Sequence, residues 1–431
     1  MKKNTIKQSN VKTYEGGKAS KINFLQELER TVCCCLLWED NFYENGISIT
    51  ERIQDLINKV DNQDVINLIK KTKFDMKLRH IPLFMIACLL KKGQTGLKDL
   101  IAEICTRPDD MGELLALYQT ENNALSNSIK KGLAEAFTKF SEYQLAKYNR
   151  NNSEYKLVDI ANLVHPKSTE AIDKLIKGTL KTPDTWEVFL SKAGSDIEKK
   201  KEAWLKLIEE DKLLDMAFLK NIAGIRRVGV DDKIIKERIK KITLNKLLPI
   251  DYIRAGIMNP EFKNEIEESF LQNMANTKKE LTGKTLILVD VSASMDWNNS
   301  SFSNLDYANS IAMIGRELCE DAVIYTFSTE EKLVPNRRGF ALATAIKDSQ
   351  YHGGTWLGES LKNINEKEKY DRLIVITDEQ TSDTLPNPLN EKSYIINISN
   401  CQRGVGYEQG YKHISGFSDS VFDYIKEIEK L

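Results

Sequence analysis

For roughly its first 260 residues the chain carries apolar residues at helical spacing. Leu157, Ile160, Ala161 and Val164 fall at i, i+3, i+4 and i+7, and Leu214, Ala217, Phe218 and Ile222 make a second stripe, as expected of helices that bury one face. Pro82, Pro108, Pro166, Pro183, Pro249 and Pro260 stand at or near the ends of such segments, where a missing N–H is tolerated. No strand alternation accompanies them. So many short amphipathic segments predict stacked helix pairs, a solenoid or ring, in preference to one bundle, although no clean repeat period is visible. A last helix and a polar connector run from about Phe262 to Gly283.

Beyond that point the pattern changes. Lys284-Thr285-Leu286-Ile287-Leu288-Val289 is too short and too β-branched for a buried helix and predicts a central parallel strand, and Leu373-Ile374-Val375-Ile376 repeats it. The alternation predicts strands at 284–290, 322–327, 371–377, 393–398 and 411–415. Helices are predicted near 304–320, 357–365 and 418–430. The fold class is therefore mainly α followed by a Rossmann-like α/β domain, with domains at 1–275 and 276–431.

Composition narrows the functions available. A chain of 431 residues has room for two or three domains. The longest apolar run, Ile81 to Leu90, stops at Lys91-Lys92 and falls short of the roughly twenty residues a bilayer requires. The basic start Met1-Lys2-Lys3 leads into no apolar segment, so a secretory signal is not expected and the cytoplasm is the expected location. Seven cysteines, three of them contiguous at 33–35, show no C-x-x-C spacing, and four histidines show no helical i,i+4 pairing. Zinc and histidine-metal chemistry are thereby disfavoured, and the cysteines read as small core residues. From Leu281 onward there are 15 Lys+Arg against 22 Asp+Glu, and before it 47 against 41. A polyanion is expected on the helical part.

The α/β part carries candidate chemistry at strand ends. Asp290-Val291-Ser292-Ala293-Ser294, then Gly353-Gly354-Thr355, then Thr377-Asp378-Glu379 occupy three separate loops, and the first and last follow apolar strands, where open α/β sheets place ligands. Asp, Ser and Thr offer only oxygen, which suits Mg²⁺ or Mn²⁺ and makes a poor zinc site. Ser and Asp acting only as helix caps is the plainer alternative. These motifs resemble the metal-ion-dependent adhesion site of a von Willebrand factor A domain. The resemblance implies Ser292 and Ser294 as direct ligands, Thr355 as a third, direct or through water, and Asp290 and Asp378 partly through waters. With so few protein anions around it, the ion would keep positive charge for an outside ligand.

The helical part carries a second resemblance. Leu157-Val158-Asp159-Ile160-Ala161-Asn162-Leu163-Val164-His165-Pro166-Lys167, Thr185-Trp186-Glu187-Val188, Ala193-Gly194-Ser195-Asp196, Trp204 and the stretch Met216 to Gly229 are similar to the TROVE module. TROVE followed by an A domain is the architecture of the Ro autoantigen family and its bacterial relatives. The resemblance implies a HEAT-like helical solenoid closed into a ring by the A domain, with a basic hole for single-stranded 3′ ends of misfolded noncoding RNA. Small noncoding Y-like RNA would bind the outer surface, and an exoribonuclease is a further possible partner. Lys147, Arg150 and His165 match the outer RNA-binding face, with the spacing between Lys147 and His165 one residue longer than usual. Arg226 and Arg227 are candidates for the hole. The basic run from Lys233 to Lys246 reads first as a solvated face, and His165 alternatively as a helix-end residue satisfied by a carbonyl.

The leading expectation is thus a single-copy RNA-binding ribonucleoprotein in noncoding RNA quality control. Catalysis is not expected, because Ser292 and Ser294 lack a neighbouring base and Asp290 has no second Asp two residues on. The alternative is a metal-dependent protein-interaction scaffold that binds no RNA.

Overall fold

A computed structural model describes all residues except 1–10, 38, 120–123, 150–152, 244–248, 278, 298–301 and 431. The chain forms two compact units. One comprises Met1–Thr50, Asp215–Ala223 and Asp231–Leu431, and the other Glu51–Leu214 with Gly224–Val230.

The second unit is helical. Its helix His80–Lys91 buries every residue from Ile81 to Leu90, so the longest apolar run of the sequence is a core helix. Among the described residues no helix is long and apolar enough to cross a membrane. The helices Lys98–Ile104 and Asn127–Phe137 pack together, and they do so at Gly132, where an added Cβ would lie 2.6 Å from the Ile101 Cβ. The helices Trp186–Ala193 and Ile197–Glu209 pair through Trp186 and Trp204, whose rings stack at 5.7 Å. Asp110 is fully buried and accepts from Lys73 at 3.2 Å, Arg79 at 3.2 Å and the Arg107 N–H at 3.1 Å. That satisfies a charge which would otherwise be costly inside a protein.

The first unit is built on a six-stranded sheet of order β3-β2-β1-β4-β5-β6. Its strands are β1 Leu281–Asp290, β2 Cys319–Phe327, β3 Glu331–Leu333, β4 Arg372–Thr377, β5 Ser393–Asn397 and β6 Lys412–Ser415. All neighbours are parallel except the antiparallel pair β2 and β3. The centre of the sheet is apolar because both faces are covered. Leu286, Leu288, Leu373, Val375 and Ile395 pack with Leu357, Leu361 and Ile364 of the helix Leu357–Lys367. On the helix Asn304–Leu318, an added Cβ at Gly315 would meet Ile287 and Phe422, so that helix approaches the sheet closely. The predicted strands are present within a few residues of their expected bounds. The edge strand β3 and the helix Gly339–Lys347 were not anticipated, the first because three residues are too few to show alternation.

Candidate functional site

Strand pairing brings the two acidic strand ends together. Val289 of β1 lies opposite Ile376 of β4 in parallel register, so Asp290 and Asp378 emerge side by side. The connections from β1 and β4 run to opposite sides of this pair, which makes it the crevice where doubly wound sheets bind ligands. Asp290, Ser292, Ser294, Thr355 and Asp378 are all buried.

Backbone and hydroxyl groups fix these side chains. Asp290 accepts from the Ser292 N–H at 2.9 Å and from the Thr377 hydroxyl at 2.6 Å. Asp378 accepts from the Ser294 hydroxyl at 2.7 Å and from the Gln380 N–H at 3.0 Å, and the Ser292 and Ser294 oxygens stand 3.3 Å apart. The Gly353–Thr355 loop is tied in from two directions. Ser328, just beyond β2, accepts from the Gly353 N–H at 2.8 Å and donates to the Gly354 carbonyl at 3.0 Å, while the Ala293 N–H donates to the Gly353 carbonyl at 3.1 Å. The Thr355 carbonyl accepts from the Thr381 hydroxyl at 3.0 Å and the Ser382 N–H at 2.7 Å. Ser328 and Thr381 are positioning residues that no spacing in the sequence announced.

The electrostatics favour a cation here. Burial pushes the Asp290 carboxyl up, and the nearby Asp378 pushes it further; Asp378 is likewise raised by burial. Two buried carboxylates that repel each other are stabilised by a shared positive ion. Among the described residues no three His, Cys, Asp or Glu side chains form a metal cluster, so a cation held here would depend on hydroxyl oxygens. An all-oxygen set of this kind fits Mg²⁺ or Mn²⁺ and not zinc.

Behind Asp378 lies a second charged group. Arg30, from the helix Phe24–Cys33, is fully buried and donates to Glu379 at 2.7 Å, to the Tyr407 hydroxyl at 3.1 Å and to the Cys401 and Arg403 carbonyls at 2.8 and 2.7 Å. Glu379 also accepts from the Val405 N–H at 3.1 Å and lies 3.2 Å from His413 Nδ1, whose ring stacks on Tyr407 at 3.5 Å. Burial alone would raise the Glu379 carboxyl, but Arg30 and His413 outweigh it and hold it at about 2. Glu379 adopts φ +62°, a left-handed conformation uncommon for a side chain of this size. The arrangement pins the loop that follows Asp378.

The basic candidates sit in the helical unit. Lys147 is exposed at the end of the helix Glu142–Tyr148, with its Nζ 5.7 Å from the Tyr148 ring centre; the Arg107 guanidinium lies 4.7 Å from the same centre. His165 is exposed and ends the helix Leu157–Val164 with φ +49°, its N–H bonded to the Ala161 carbonyl at 3.0 Å. The carbonyl contact is made by its backbone. Arg226 and Arg227 are exposed in the last turn of the helix Asp215–Arg227. Arg150 lies outside the described residues. Within the run from Lys233 to Lys246, Arg238 is buried, bonded to Asp215 at 2.6 Å and set over the Phe218 ring. That residue serves the fold.

Residues 174–285 match the TROVE domain family model. Comparison with curated proteins finds no match. Among solved structures, the crystal structure of the Deinococcus radiodurans Ro (Rsr) protein superposes with a TM-score of 0.62 over 93% of this chain and 98% of that chain, at 14% sequence identity. The fold shared is a mainly helical N-terminal region followed by a mostly parallel six-stranded sheet.

Proposed function

We propose that this chain, which carries a TROVE domain and has a Ro-like fold, is an RNA-binding ribonucleoprotein that acts without catalysis of its own. The observation that carries this reading is the TROVE match over residues 174–285 within a Ro-like fold spanning 93% of the chain. Excess base before Leu281 and the exposure of Lys147, His165, Arg226 and Arg227 agree with it. In this reading the helical part, within residues 1–275, holds a small noncoding Y-like RNA and single-stranded 3′ ends of misfolded RNA, in noncoding RNA quality control with an exoribonuclease. A Mg²⁺ or Mn²⁺ ion is assigned to Asp290, Ser292, Ser294, Thr355 and Asp378, where its chemistry is to attract an outside anion.

A structured RNA with a single-stranded 3′ tail is expected to bind tighter than the same RNA trimmed flush, with a gain that falls steeply as salt rises, because phosphate contacts release counterions. Gel shifts at several salt concentrations measure it. Equal affinities would remove 3′-end recognition, and no binding of either RNA would favour the metal-dependent scaffold.

Lys147 gives a narrower test. As a point charge on phosphate it is expected to contribute about one unit of the log–log salt slope, lost in Lys147→Ala. An unchanged slope would make Lys147 ordinary surface.

A further inference from the structure

The mouth of the acidic crevice is faced by a segment from the other end of the chain. Residues 11–19 form a tight hairpin, with Lys12 bridged to Lys18 and the Thr13 N–H bonded to the Gly17 carbonyl at 3.0 Å. The hairpin is clamped onto the loop after Asp378. The Thr13 hydroxyl donates to the Thr381 carbonyl at 2.6 Å and the Tyr14 N–H to Gln380 Oε1 at 3.0 Å. Gly17 lies so near that an added Cβ would stand 2.3 Å from the Thr381 carbonyl oxygen. Any side chain there would push the hairpin away.

The clamp presents Glu15 at the exposed tip. Its Oε1 accepts from the Tyr43 hydroxyl at 2.9 Å. That hydroxyl lies beside the Ser294 side chain, itself bonded to Asp378. Tyr43 is held rigidly: it stacks on Tyr14 at 4.7 Å, and Phe42 meets it edge-on at 4.8 Å and Trp297 at 5.7 Å. A chain of contacts thus runs from Glu15 through Tyr43 and Ser294 to Asp378. It places a further carboxylate within electrostatic reach of Asp378, beside Asp290 and the Arg30-paired Glu379.

Left to themselves these carboxylates repel one another, yet the hairpin spends several hydrogen bonds and a glycine on holding Glu15 there. We propose that Glu15 is this chain's own carboxylate at the mouth of the cation site, oriented by Tyr43, and that it excludes outside carboxylates from the position they would otherwise take. The proposal rests on the divalent-cation reading of the crevice. It makes the site selective: an acidic partner gains access only by displacing the hairpin tip.

The test uses Mn²⁺ alone as the metal probe and acetate as the outside carboxylate, with the full chain throughout. Free Mn²⁺ is counted by electron paramagnetic resonance, and water access to the bound ion is read by proton relaxation. Glu15→Gln is expected to weaken Mn²⁺ binding roughly three- to tenfold, through the loss of one negative charge that acts on Asp378. It should also raise the relaxation enhancement and let acetate lower that enhancement at a concentration at least about threefold below that needed for the natural chain. Tyr43→Phe should shift both readouts in the same direction but less. Identical acetate dependence and enhancement in Glu15→Gln and the natural chain would overturn the proposal while leaving the cation site standing. Absence of Mn²⁺ binding by the natural chain, or undiminished binding by Asp290→Ala, would overturn the cation reading and the proposal with it.

Discussion

Replacing Arg30 with Met is expected to cost about 3–5 kcal/mol of stability, the usual consequence of removing one partner from a buried ion pair. Both side chains of the Arg30–Glu379 pair are fully buried. The methionine would fill much of the space, but it would leave Glu379 charged in a low-dielectric interior. It would also orphan the Cys401 carbonyl and remove one of the two donors to the Arg403 carbonyl, leaving it only the Gln380 amide at 2.8 Å. Gly404 offers little room for relaxation, since an added Cβ there would lie 2.2 Å from the guanidinium. Chemical denaturation followed by circular dichroism measures the loss. The double variant Arg30→Met, Glu379→Gln should recover part of it, because the uncompensated charge is then gone; a loss below about 1 kcal/mol in the single variant would mean that the pair is not what fixes this loop. The pair also predicts a pH window. Glu379 is held at about 2 in the folded chain, below its unfolded value of about 4.3. Its contribution is therefore complete above the unfolded value and is lost as pH falls toward 2.

That pair shows where reading the sequence stops. Asp290, Ser292 and Ser294 were legible because they stand at the end of one apolar strand, and Asp378 because it follows another; parallel strands deliver their C-terminal ends to one edge of the sheet. Their motifs are local, and the sheet does the rest. Arg30 and Glu379 stand 349 residues apart, and neither lies in a pattern that names the other. Glu15 and Tyr43 are hidden for the same reason: a hairpin tip and a loop tyrosine have no periodicity, and what matters is the surface they are clamped to. Ser328 looks like any residue after a strand, although it donates to one backbone group of the Gly353–Thr355 loop and accepts from another. Among the helices the stripe Leu157, Ile160, Ala161 and Val164 was readable and all four are buried; of the second stripe Phe218 and Ile222 are buried, but Leu214 precedes the helix Asp215–Arg227 and is exposed. The exposed residues between them carry no such signal, which is why Lys147 and His165 rest on family resemblance and on exposure alone.

Asp290→Ala is expected to abolish Mg²⁺ and Mn²⁺ binding while the sheet survives. The substitution removes the carboxylate that the β1 end contributes to the crevice and leaves the Ser292 N–H and Thr377 hydroxyl, which now bond to it, without an acceptor. Two unsatisfied buried donors cost about 1–3 kcal/mol each. Against that, the variant no longer buries two like charges side by side, so the metal-free protein should lose less than the donor count alone suggests. The larger difference appears with metal present. A ligand held at a hundred times its dissociation constant stabilises the natural chain by about 2.7 kcal/mol, and the variant should gain nothing from it. Because burial and Asp378 raise the Asp290 carboxyl, a cation must compete with a proton there, and binding to the natural chain should weaken in acid. Titration calorimetry gives the affinity at each pH, and thermal unfolding with and without Mn²⁺ gives the stabilisation. Metal-dependent stabilisation that persists in Asp290→Ala would place the cation elsewhere; stabilisation that vanishes, with circular dichroism unchanged, would tie it to the pair of strand ends where Asp290 and Asp378 meet.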